Sequence, residues 1–122
     1  MLEALIREHK LEDTVELAGW VDQKEVGNLL RSADVFVFPS IRELGAGVVV
    51  EAMAAGLPSV VVDYGGPGGL ITDECGRKVQ LGTKDQIAQA MRIHLDQLAH
   101  DKDLRENLGA AARKRVEDHL TW

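Results

Sequence analysis

Two hydrophobic periods alternate along the chain, and together they outline short strands linked by helices. Leu2, Leu5 and Ile6 share one stripe at helical spacing, which predicts an amphipathic helix over residues 1–10. Residues 15–19 read as a short strand. Asp22, followed three residues later by Glu25, resembles a capping box, and Val26, Leu29 and Leu30 then face inward from a helix over residues 23–33. Val35, Phe36, Val37 and Phe38 form an unbroken apolar run closed by Pro39, the pattern of a strand buried on both faces. A polar, glycine-containing loop over residues 39–47 leads into a helix over residues 48–55, which Gly56 and Pro58 end. Val60, Val61 and Val62 make another buried strand, and a glycine-dense turn is expected over residues 63–69. A last short strand is expected over residues 78–81. Thr83 and Gln86 repeat the capping-box pattern and open a helix carrying Ile87, Ala90, Met91, Leu95 and Leu98. A final helix is expected over residues 104–120.

Strands alternating with helices through short connections imply an α/β fold, a Rossmann-like parallel sheet with helices on both faces. A chain that opens on a helix, with no strand before it, is expected to begin inside such a domain. The 122 residues are 45% apolar, enough for a single compact core. A net charge of −6 argues against a general nucleic-acid binder, because phosphate backbones favour basic surfaces. Cys75 is the single cysteine, so no internal disulfide forms and a reducing, cytoplasmic compartment is expected. No run approaches the roughly 20 apolar residues of a membrane span. A membrane-peripheral position, reached through another domain of a longer protein, stays open.

Ligands of open α/β sheets bind beyond the carboxyl ends of the strands. The loops over residues 39–47 and 63–69 occupy such ends, and their glycines let main-chain N–H groups approach a ligand closely. The first also runs into a helix start, which favours an anion such as phosphate. Glu51 is the one charged residue in the run Val48-Val49-Val50-Glu51-Ala52-Met53-Ala54-Ala55, a helix apolar on every side and expected to be buried. An unpaired buried carboxylate costs several kcal/mol, so Glu51 should face a polar cleft or a partner. A carboxylate there would accept hydrogen bonds from sugar hydroxyls, and an anion site beside it suits a sugar nucleotide.

The run Pro39-Ser40-Ile41-Arg42-Glu43, then Glu51-Ala52-Met53-Ala54-Ala55-Gly56-Leu57-Pro58 after seven intervening residues, resembles the E-x7-E signature of family 4-type retaining glycosyltransferases of the GT-B fold. Ala33 to Val37 resembles the family's strand into that motif. Asp63-Tyr64-Gly65-Gly66-Pro67 and residues 76–79 fall where the family places its next donor-side loop and last strand. The resemblance covers roughly residues 11–122, and it implies the later part of the C-terminal, nucleotide-sugar-binding domain. The family's strand order, 3-2-1-4-5-6, would then be represented by strands three to six. The first strands and the acceptor-binding N-terminal domain would lie elsewhere in a longer protein, as would the basic groups that hold the diphosphate. Glu43 would contact the transferred sugar, and Glu51 the ribose hydroxyls. Main-chain N–H groups of Gly45, Ala46 and Gly47 would approach the sugar and diphosphate, with Gly65 and Gly66 keeping the neighbouring loop low against the donor. The resemblance implies hexosyl transfer with retention, no metal, and an isolated chain that is inactive. It also implies open sheet edges, expected to cause a rearranged sheet, strand exchange or a homo-oligomer. This chain has Gly45-Ala46 where the family often has Phe-Gly, and Gly69 where a glutamate is common.

The same residues admit other readings. Glu43 and Glu51 could be surface carboxylates at a helix start, and residues 65–69 a plain turn. An epimerase-type or non-catalytic sugar-nucleotide-binding domain would share the architecture. A receiver-like signalling domain would need an acidic cluster at early strand ends, whereas Asp34 begins its strand. Cys75 reads as a bystander, and His9, His94, His100 and His119 as solvated residues without metal-ligand spacing. Asp101-Lys102-Asp103 reads as capping for the last helix. Arg113-Lys114-Arg115 reads as a solvated helix end that complements the dipole.

Overall fold

The computed structural model describes residues 2–19, 21–39 and 46–120. Its centre is a three-stranded parallel sheet of β1 (Phe36–Phe38), β2 (Ser59–Val62) and β3 (Gly76–Val79), in the order β1-β2-β3. Phe36 pairs with Ser59, and Ser59 in turn with Gly76. The strands follow sequence order, so the expected rearrangement of the sheet is not found among the described residues.

β2 is buried along its whole length and supplies both halves of the core. Val61 packs with Val49, Met53, Ile71, Ala112 and Val116 on one face. Val60 and Val62 point the other way, against Val79, Met91, Leu98 and Leu108. This is the period-two alternation of a strand carried into two helical layers. One layer holds α3 (Ala46–Ala54) and α4 (Gly65–Leu70); the other holds α5 (Lys84–His100). α6 (Lys102–Arg115) contributes Leu108 to one cluster and Ala112 to the other, and a π-helical turn, Val116–Leu120, continues it. The helices on both faces agree with the sequence reading.

β1 differs from expectation. All three of its residues are half-buried rather than enclosed, because only β2 runs beside it among the described residues. Residues 15–19, expected as a strand, form no ladder. Val15 N–H instead bonds back to Leu11 O at 2.8 Å, and Val15 and Leu17 stay exposed. Strand hydrogen bonds need a neighbouring strand, and none lies alongside among the described residues. Helix α1 (Leu2–Glu8) forms where predicted, but it buries no residue.

Local signals set most helix ends. Asp22 caps α2 (Gln23–Ser32) by accepting from Glu25 N–H at 2.9 Å, and Thr83 with Gln86 forms both halves of the capping box that opens α5. α3 ends in a Schellman turn, with Gly56 N–H to Met53 O and Leu57 N–H to Ala52 O, and Gly56 takes φ +80°. Asp101 accepts from Leu104 N–H and caps α6, which settles the capping role of Asp101-Lys102-Asp103. The last strand lies two residues earlier than residues 78–81, and residues 63–69 are not a plain turn, since α4 occupies most of them. No described helix is long and apolar enough to cross a membrane.

Candidate functional site

Glu51 sits in the second turn of α3, about 7.5 Å along the axis from Ala46 at 1.5 Å per residue. Val49, Ala52 and Met53 beside it are fully buried, whereas Val48 and Val50 are half-buried and Ala54 is exposed. The helix is therefore enclosed on one side only. Glu51 itself is half-buried, not buried as its apolar neighbours suggested. Its Oε1 accepts a 2.9 Å hydrogen bond from Gln23 Nε2, at the start of α2. Leu30, Ala52 and Leu57 pack together beneath this pair and hold α2 against α3.

A groove of about 560 Å³ runs between these helices, lined by Gln23 and Glu51 and farther along by Arg31, Ala55 and Arg113. Both arginines have partners on their own helical segment. Arg31 donates to Asn28 Oδ1, and Arg113 pairs with Glu117 at 3.4 Å. The partner of Glu51 is thus a neutral amide rather than a cation.

Glu43 and Gly45 lie outside the described residues. Ala46 and Gly47 form the first turn of α3, with open space around Gly47. Gly65 and Gly66 start α4, which begins just beyond the carboxyl end of β2. The seat is tight. A methyl group on Gly68 would lie 2.7 Å from Asp63 Oδ1 and 3.1 Å from two Asp63 main-chain atoms. Lys78, near the end of β3, reaches Asp63 Oδ1 at 3.9 Å and donates to Gly68 O at 3.3 Å, so it ties α4 to both strands. The sequence reading missed Gln23, Gly68 and Lys78. Gln23 lies 28 residues from Glu51, and no local spacing announces the contact.

The other candidates fall elsewhere. Cys75 is buried, with its Sγ 3.3 Å from Thr72 N and 3.4 Å from Thr72 Oγ1. A groove of about 250 Å³ near it, reaching Lys114 and Arg115, lies at the amino end of β3, away from the ligand side of such sheets. Arg115 is not a purely solvated cation, because its Nε donates to Leu70 O at 2.8 Å. His94 also departs from the solvated reading: its Nδ1 is buried without a hydrogen-bond partner. Burial, and to a lesser degree the nearby Arg77 charge, hold its pKa below 6.5.

Layer order, parallel pairing and helices on both faces make this a Rossmann-like α/β domain, and its structural neighbour places it in the GT-B glycosyltransferase class. A sucrose-phosphate synthase from Thermosynechococcus elongatus superposes with a TM-score of 0.87 at 30% identity, over 99% of this chain and 30% of its own. Residues 1–115 match glycosyl transferases group 1, and the chain belongs to that family. It is 33% identical to a putative colanic acid biosynthesis glycosyltransferase, WcaL, of Salmonella typhimurium, over 94% of this chain and 29% of the relative. It is 32% identical to an MMP alpha-(1->4)-mannosyltransferase of Mycolicibacterium hassiacum, over 98% and 29%. The chain thus spans about 15–30% of the length of the relatives it matches.

Proposed function

We propose that this chain is the donor-binding portion of a family 4-type retaining glycosyltransferase that takes a nucleotide-diphosphate sugar and passes its hexosyl group to an acceptor held by another domain. The observation that carries the reading is Glu51, a half-buried carboxylate in a largely apolar helix, facing a groove with only a neutral amide as partner. Such a group offers accepting lone pairs to the hydroxyls of a ribose. Family membership and the glycosyltransferase names of the relatives support the same reading.

In this reading the E-x7-E pair divides the donor. Glu51 takes the ribose, and Glu43 the transferred sugar. Main-chain donors at Gly45, Ala46 and Gly47 approach the diphosphate, while Gly65 and Gly66 keep α4 low beside it. The acceptor oxygen forms the new bond to the anomeric carbon as the carbon–oxygen bond to the diphosphate breaks. The acceptor proton passes to the departing phosphate on the same face, which gives retention. Main-chain dipoles and basic groups from the rest of the protein, in place of a metal, stabilise the leaving diphosphate. In this reading the acceptor is held by another domain, so the isolated chain is inactive. A cytoplasmic location belongs to the same proposal and rests on the single cysteine.

The test is a screen of nucleotide sugars against the full-length protein, wild type beside Glu51→Ala. Losing hydrogen bonds to a charged group should weaken donor binding by about 1.5–3 kcal/mol, roughly 10- to 150-fold. Proton NMR of the product should show the anomeric configuration of the donor retained. Equal donor affinity in the two proteins would remove the ribose role, and an inverted product would remove the retaining mechanism.

A further inference from the structure

We infer that Gln23 is the positioning residue of this site, orienting the Glu51 carboxylate so that its free oxygen meets the vicinal hydroxyls of a nucleoside diphosphate. The inference rests on the proposed donor role of Glu51 and adds the group that makes that role selective. A glutamate side chain has three rotatable bonds, and on an exposed helix flank it samples several orientations. Here the 2.9 Å bond from the exposed Gln23 Nε2 to Oε1 favours one orientation.

The bond joins two elements that are themselves fixed. Asp22 caps α2 at the residue before Gln23, and the Leu30, Ala52 and Leu57 cluster binds α2 to α3. Gln23 therefore acts from a rigid base. Its chemistry also suits the task. A lysine or arginine in its place would neutralise Glu51 and compete with sugar hydroxyls. An amide donates one N–H and leaves the negative charge in place. Arg31 and Arg113 line the same groove, but their guanidinium groups are engaged by Asn28 and Glu117. Oε2, which makes no hydrogen bond among the described residues, then remains available to accept from a ribose in the groove that Gln23 and Glu51 line.

The experiment is calorimetric titration of the full-length protein with uridine, adenosine and guanosine diphosphates, each in ribo and 2′-deoxy form. The proteins are wild type, Gln23→Ala, Gln23→Leu, Gln23→Glu and Glu51→Ala, with circular dichroism melting to confirm equal folding. Gln23→Ala and Gln23→Leu should weaken the preferred ribonucleotide about tenfold and leave the 2′-deoxy form nearly unchanged, shrinking the preference for ribose. Gln23→Glu supplies a signature that a purely structural role would not produce. At about pH 8 two facing carboxylates repel and binding is weak. Lowering the pH adds a proton shared between the two carboxylates, which donates as the amide does, so affinity recovers toward wild type.

The inference is overturned if Gln23→Ala and Gln23→Leu bind like wild type while Glu51→Ala loses affinity. It is also overturned if the Gln23 variants lose ribo and 2′-deoxy forms equally. If Glu51→Ala itself binds like wild type, or wild type shows no ribose preference, the donor reading beneath it falls as well.

Discussion

Gly68 and Gly69 are neighbours in α4, yet a methyl group would meet very different surroundings at each. At Gly68 it presses on the Asp63 main chain, and at Gly69 it enters open space. Gly68→Ala should therefore destabilise the protein by about 1–2 kcal/mol through overpacking. Gly69→Ala should be neutral or add up to about 0.5 kcal/mol, because alanine favours a helical backbone. Urea unfolding of the two variants separates them, and equal effects would show that α4 is not seated on Asp63. His94 makes a second residue-scale prediction. Its folded pKa lies below 6.5, so at pH values between the two the unfolded chain binds more protons than the folded one. Stability is then fully present above the unfolded pKa and falls as pH drops through that window. Urea midpoints at about pH 7.5 and about pH 5.5 should differ less in His94→Leu than in wild type.

At the scale of elements, the turn that ends α3 is also the place where α6 docks. A Cβ on Gly109 would stand 2.0 Å from Gly56 O and 3.0 Å from Gly56 C, which are main-chain atoms that cannot rotate aside. Gly109→Ala should cost about 2–4 kcal/mol, with the loss read as a lower thermal midpoint. A midpoint equal to wild type would mean that α6 does not press on that turn. The glycine looked unremarkable in the sequence, where a single glycine inside a helical pattern reads as a weak point rather than as a contact. Gly56 was legible for the opposite reason: the αL cap is a local requirement, and the apolar run before it and Pro58 after it mark the helix end. The caps at Asp22, Thr83 and Asp101 were legible in the same way, since each involves a hydrogen bond spanning three residues.

For the whole molecule, protection should fall outward from β2. Hydrogen exchange should be slowest at Val60, Val61 and Val62, which are fully buried, and fast across residues 2–19, where α1 buries nothing and the following segment pairs with no strand. Strong protection at Val15 or Leu17 would contradict this arrangement. The contrast marks the boundary between what one-dimensional information carries and what it does not. The chain's own pattern determined the α/β class, the runs that become β1 and β2, the helix caps, and Glu51 as an anomalous carboxylate, because periodicity, capping and an acid in an apolar run are properties of nearby residues. Tertiary structure alone decided that, among the described residues, residues 15–19 form no strand, α4 replaces a turn, β1 keeps an open side, and Gln23 meets Glu51. These depend on which segments become neighbours in space. A strand needs a ladder partner, a glycine needs an opposing main chain, and a carboxylate is aimed by a donor that lies 28 residues away.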